Sequence, residues 1–222
     1  MISEQLTEIY QLLFDRFGPQ HWWPGETQFE VITGAILTQN TNWANVEKAL
    51  TNLKAADLLV PERLHRLDGS QLAELIRPAG YYNIKAKRLK NFINWLFENY
   101  DGQLANLENI DTDRFRAELL AIRGIGRETA DSILLYAFDR PIFVVDAYTA
   151  RIAFRHQLIE PDADYEQLRD LFQSNLPEDV RLFNDYHALL VRLGKEFCKP
   201  KAQCLGCPLE SLPHTLDIEY RS

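Results

Sequence analysis

Between Leu119 and Asp146 the chain reads LLAIRGIGRETADSILLYAFDRPIFVVD, and this segment constrains the fold more than any other. Phe115, Leu119, Leu120 and Ile122 recur at helical spacing and run into Arg123-Gly124-Ile125-Gly126. A second helical pattern, with Ala130, Ile133, Leu134 and Ala137 apolar, starts at about Arg127. Two glycines around one aliphatic residue allow a tight backbone reversal with the isoleucine plugged into a core. The sequence therefore predicts two helices joined by a short turn over 113–138. The N–H groups of such a turn, beside a helix N-terminus, are suited to a phosphate, which they hold without reading bases. A Gly-x-Gly between helices also fits an ordinary helical hairpin, so the rest of the chain has to decide.

The rest is helical too. Apolar residues at helical spacing predict segments at 3–17, 27–39, 43–53, 55–59, 70–76, 83–99, 111–121, 127–138, 146–157, 164–175 and 180–194, with Gly or Pro marking several of the breaks. Ile142–Val145 is the one strand-like run, and it is short. The expected class is all-α. No apolar run approaches the roughly 18 residues of a membrane span. The acidic amphipathic start MISEQLTEIYQLLF lacks the features of a secretory leader, so a cytoplasmic protein that does not engage membranes is expected. The net charge of -8 argues against a broad basic surface. One local stretch does run basic, with Arg77, Lys85, Lys87, Arg88 and Lys90 and no acidic residue inside it. It reads as a solvated helix face or as a phosphate contact.

Three further segments accompany the hairpin in order: Ile36-Leu37-Thr38-Gln39-Asn40-Thr41, Gly80-Tyr81-Tyr82-Asn83-Ile84-Lys85-Ala86, and Val145-Asp146-Ala147. Together with Ile122–Ala130 they resemble the helix-hairpin-helix DNA glycosylases of the endonuclease III superfamily, across nearly the whole chain. That family's patterns are L-S-x-Q-x-T, G-h-Y-x-x-K-A, L-P-G-h-G-x-x-T-A and V-D-T. The resemblance implies a two-lobed endonuclease III-like fold. One lobe would be a helical barrel of 25–138 carrying the hairpin, and the other would be built from 1–24 and 139–222. It implies base excision from double-stranded DNA by a protein acting as a monomer.

It also implies roles. Asp146 would be the catalytic carboxylate, stabilising the cationic sugar that forms as the glycosidic bond breaks and positioning water. An Asp directly before a helix is also a natural N-cap, and one residue can be both. Gln39 and Tyr81 would enter the duplex where the nucleotide leaves, and Lys85, Arg123, Gly124, Ile125, Gly126 and Arg127 would hold the backbone. Glu128 stands where bifunctional members carry the Schiff-base lysine. A carboxylate cannot form that adduct, so a monofunctional enzyme without lyase activity is expected. Glu128 also suits the first turn of a helix as a simple solvated acid. Lys195 is a pocket candidate or a surface lysine.

The specificity signal is aromatic. His21-Trp22-Trp23-Pro24 and Asn42-Trp43 hold three of the four tryptophans. They form a lid on the core or a pocket for an extruded base. A base alkylated at N3 or N7 is cationic, and a π-rich clamp favours a cation by about 0.5–2 kcal/mol. The set resembles the 3-methyladenine DNA glycosylase branch. The alternatives are a glycosylase for uracil, mismatched thymine or oxidised pyrimidine, and an inactive DNA-binding module. Finally, all three cysteines lie in Cys198-x5-Cys204-x2-Cys207. The family's iron–sulfur loop is C-x6-C-x2-C-x5-C, so one gap is shorter and the fourth cysteine is missing. A 4Fe–4S cluster, a zinc site completed by His214, and no metal at all are each compatible with 198–214.

Overall fold

The structure, a computed structural model, describes residues 1–216. Eleven α-helices are formed among them. They are α1 (Ile2–Phe17), α2 (Gln28–Leu37), α3 (Trp43–Ala55), α4 (Pro61–Arg66), α5 (Gly69–Leu75), α6 (Tyr82–Tyr100), α7 (Thr112–Ala121), α8 (Arg127–Phe138), α9 (Ala147–Arg155), α10 (Tyr165–Gln173) and α11 (Val180–Glu196). No strand occurs among the described residues, and the fold is all-α. The expected helix at 55–59 is absent. Asp57 takes a left-handed φ of 56° there, and the helix starts instead at Pro61, whose fixed φ and missing N–H suit a first helical position. Lys90 then closes α4 by donating to the carbonyls of Leu64, His65 and Leu67 at 3.1, 2.7 and 2.9 Å.

The described residues divide into two compact units, one of Met1–Trp23 with the described chain after Arg140, the other of Pro24–Arg140. The second unit is built around α2, which is mostly apolar and buried from Phe29 to Leu37, with Glu30 paired to Lys54 at 2.8 Å. A helix of that character has to be surrounded by others. Its main neighbour is α8, and α7 packs against α8 in turn. Asp131 of α8 is fully buried and receives a bidentate pair from Arg116 of α7, Nε to Oδ1 at 2.6 Å and Nη2 to Oδ2 at 3.1 Å. A carboxylate out of water needs such a partner, so the pair dictates how the two hairpin helices sit on each other.

In the first unit the run 142–145 is buried and extended, but it pairs with no strand. Phe143 instead stacks on Phe172 of α10, centroids 4.3 Å apart, and meets Phe183 and Tyr186 of α11 edge-on. Tyr186, fully buried, donates its hydroxyl to the carbonyl of Leu6 on α1 at 2.8 Å. Helix α9 approaches α11 closely at Gly194, where a Cβ would come within 2.3 Å of the Tyr148 ring.

Removing one partner of a buried ion pair strands the other. Arg116→Ala is expected to lower unfolding stability by about 3 kcal/mol, with most of the loss recovered in Arg116→Met/Asp131→Leu. Urea unfolding of the three proteins measures both quantities, and a single mutant as stable as wild type would refute the role given to the pair.

Candidate active site

In the second unit, Ile122–Gly126 makes the turn between α7 and α8. Ile125 is buried and donates its N–H to the carbonyl of Ile122 at 3.0 Å. Gly124 has φ 101°, and a Cβ there would fall 2.4 Å from Cγ of Arg88, so both backbone and space demand glycine. Gly126 differs: its φ is -94°, and a Cβ would meet nothing within 4 Å. Arg123, Gly126, Arg127 and Glu128 are exposed. Helix α8 begins at this point, so the partial positive charge of its N-terminus lies beside the turn.

The loop residues expected at DNA divide. Tyr81 is 70% exposed with a left-handed φ of 44°, next to Gly80 and ahead of α6, so it is not a core aromatic. A bulky residue in that region costs of order 1 kcal/mol or more. Gln39 is turned onto its own protein: Nε2 donates to the Gly124 carbonyl at 3.1 Å and to Thr129 Oγ1 at 2.8 Å, and Oε1 accepts from Arg88. Both amide protons are thus committed in this conformation. Lys85 corrects the expectation made for it. It is 1% exposed and donates to the carbonyl of Ala79 at 2.7 Å, so it cannot meet a phosphate. Burial, with the charge of Arg88, brings its pKa down to about 8. The basic stretch therefore turns largely inward, with Lys85, Arg88 and Lys90 all engaged by protein groups.

In the first unit, Asp146 caps α9. Its Oδ1 accepts from the N–H of Thr149 at 2.8 Å and from Thr149 Oγ1 at 3.0 Å. Its Oδ2 stands 3.6 Å from Nε2 of His187 on α11, an ion-pair distance rather than a good hydrogen bond. Burial pushes the carboxyl up, but the imidazole and the Thr149 donors outweigh it and hold the pKa below its ordinary value. The cap and the retained charge coexist in one side chain. The sequence reading missed His187, one polar residue on an otherwise apolar stripe of α11; that interruption was the available signal.

Trp22 and Trp23, half-buried, meet edge to face with centroids 5.2 Å apart in the first unit. Trp43 opens α3 in the second, where it lines a depression with Glu26, Glu30, Glu47 and Lys54. Lys195 is exposed on the last turn of α11, as a surface lysine would be.

The cysteines are brought together. Cys198, Cys204, Cys207 and His214 line one pocket. Among the described residues no three His, Cys, Asp or Glu side chains converge on a single ion. Arg155 is a second residue that the sequence reading missed. It is 8% exposed, lines the same pocket, and donates to Cys198 Sγ at 3.2 Å and to the carbonyls of Lys199 and Pro200, both at 2.7 Å, while its Nε has no hydrogen-bond partner. A buried cation whose hydrogen-bond partners are one cysteine sulfur and two carbonyls, with no carboxylate among them, favours an anion beside it. The donor set thus fits an anionic metal–thiolate assembly.

The hairpin and the capped carboxylate define an all-helical, helix-hairpin-helix protein of the DNA-repair type. Residues 33–178 match the family model described as "HhH-GPD superfamily base excision DNA repair protein". The chain belongs to that superfamily and is a DNA glycosylase of the base excision repair class. It is 51% identical over 209 residues to a provisionally named DNA repair glycosylase of Methanocaldococcus jannaschii, covering 93% of this chain and 94% of that one. The H. pylori 3-methyladenine DNA glycosylase, solved bound to 1,N6-ethenoadenine, is similar at 30% identity and TM-score 0.75, over 88% of this chain and 97% of that one. An endonuclease III solved with DNA shares the fold at TM-score 0.81 and 22% identity, over 95% and 94% of the two chains. No helix among the described residues is long and apolar enough to cross a membrane.

The Lys85 pKa has a consequence for stability. A lysine whose folded pKa lies below its unfolded value weakens the fold while charged, so stability rises with pH from about 8 to about 10.5. From pH 7 to pH 10 wild type is expected to gain roughly 1–3 kcal/mol relative to Lys85→Met, followed by denaturant unfolding at each pH. A constant difference would remove the case for a strained buried ammonium.

Proposed function

We propose that the protein is a monofunctional glycosylase that extrudes an alkylated purine of the 3-methyladenine type from duplex DNA and releases it with water. The observation that carries the reading is the setting of Asp146: largely buried, fixed through one oxygen by Thr149, and with its other oxygen 3.6 Å from the His187 imidazole. Such a carboxylate stabilises an oxocarbenium-like sugar and positions or deprotonates the water that attacks it. Glu128 in place of an amine leaves no Schiff-base nucleophile at that position. The turn at 123–127 supplies the phosphate contact, and Gly126 supports this, because nothing within the protein would meet a side chain there. Exposed Tyr81 fills the gap left in the duplex. Trp22 and Trp23 supply π-faces for a cationic base, and the likeness to the H. pylori enzyme supports that choice of lesion. We assign Glu128 and Lys195 no chemical step.

We further propose that Cys198, Cys204 and Cys207, with His214 as the fourth candidate ligand, hold a 4Fe–4S cluster balanced by Arg155. When bound, the cluster pins the C-terminal loop, and Arg155 orients that loop through the Lys199 and Pro200 carbonyls.

A base-release assay on duplexes carrying 3-methyladenine, uracil, mismatched thymine or an oxidised pyrimidine is expected to show release from the first and no borohydride-trapped adduct. Asp146→Asn, which keeps a good helix cap, is expected to lose release at least 100-fold, while stability changes by about 1 kcal/mol or less. Release of only neutral bases would overturn the lesion assignment, and DNA binding without any release would mark an inactive module. Tyr81→Gly is expected to keep or gain up to about 1 kcal/mol of stability by relieving the left-handed φ, yet to lose base release. An active Tyr81→Gly enzyme would remove Tyr81 from the duplex.

A further inference from the structure

We infer that Arg88 is a positioning residue for the hairpin turn, acting through the side-chain amide of Gln39. The inference rests on the reading of that turn as the phosphate contact. Gln39 lies beyond α2, in the loop before α3, 85 residues from the turn it touches. Its Nε2 meets two acceptors, the Gly124 carbonyl and Thr129 Oγ1. An amide rotated by half a turn would set Oε1 against the Gly124 carbonyl, oxygen to oxygen. Arg88 prevents this, because its guanidinium has only donors and takes Oε1. The aliphatic stem of Arg88 meanwhile lies in the space that a side chain at Gly124 would need. One turn further along α6, Asn91 Nδ2 donates to the carbonyl of Arg123 at 2.7 Å.

Two successive carbonyls of the turn are therefore drawn onto the protein. In a trans peptide the N–H points opposite to the C=O, so tying the Arg123 carbonyl to Asn91 aims the Gly124 N–H outward. Among the described residues no protein acceptor is found for the N–H of Gly124 or of Gly126. Arg88 and Gln39 thus hold the backbone in the orientation that an incoming phosphate needs, so that DNA does not have to order it. The cation serves the nucleic acid indirectly, by fixing dipoles rather than by pairing with a phosphate itself.

The test is a double-mutant cycle with Arg88→Met, which keeps the stem under Gly124, and Gln39→Leu, which removes the amide. In unfolding of the free protein the double variant is expected to be no less stable than Gln39→Leu alone; additive losses would overturn the inference. Affinity for an undamaged duplex, measured across a salt series, is expected to fall about five-fold in each single variant and about five-fold in the double. The slope of log K against log salt should stay unchanged. A multiplied loss, with the slope reduced by about one, would make Arg88 itself a phosphate ligand and overturn the proposal. If wild type bound no duplex at all, the functional reading would fall, and the unfolding cycle would still decide whether Arg88 acts through Gln39.

Discussion

A carboxylate buried within α8 sets the terms for the hairpin. Asp131 has no access to water, and the Arg116 guanidinium answers it with two parallel hydrogen bonds. Because Arg116 comes from α7 and Asp131 from α8, the demand for charge compensation fixes the helices on each other and leaves the five residues between them little freedom. Ile125 then fills the core, Gly124 takes a backbone shape closed to other residues, and the α8 N-terminus is presented next to the turn. An overall charge of -8 is compatible with contact to phosphate on this design, because the positive end is made of backbone dipoles and a few exposed arginines.

The first unit solves a different problem, which is how to keep a carboxylate charged while mostly hiding it. Phe143 anchors the extended segment in an aromatic nest from α10 and α11, and three residues later Asp146 starts α9. One oxygen is occupied by the helix cap, and the other faces the imidazole of His187. Folding geometry and charge stabilisation therefore fall on the same group. The close crossing of α9 on α11 at Gly194 helps to hold His187 opposite it.

The cysteine loop follows the same logic. Arg155 reaches Cys198 Sγ and two loop carbonyls from the end of α9, the helix that Asp146 opens. The conformation of the loop and the placement of the carboxylate are thus tied to the two ends of one helix.

The amino-acid sequence by itself determined the helical class, the hairpin, and the candidacy of Asp146. The first two rest on local rules, helical spacing of apolar residues and glycine where the backbone reverses, while Asp146 rests on the ordered motifs that carry the family resemblance, since an acid ahead of a helix by itself reads as a cap. What only the tertiary structure decided were the partners. Lys85 read as a group for DNA and is committed to the Ala79 carbonyl instead, Gln39 is held by Gly124, Thr129 and Arg88, and α4 waited on Pro61 and on the cap from Lys90. His187 and Arg155 gain their meaning from residues 41 and 43 positions away, Asp146 and Cys198. The direction a long polar side chain takes depends on which buried carbonyl or charge lies within reach. That is settled by packing between segments distant in the chain, which local spacing does not encode.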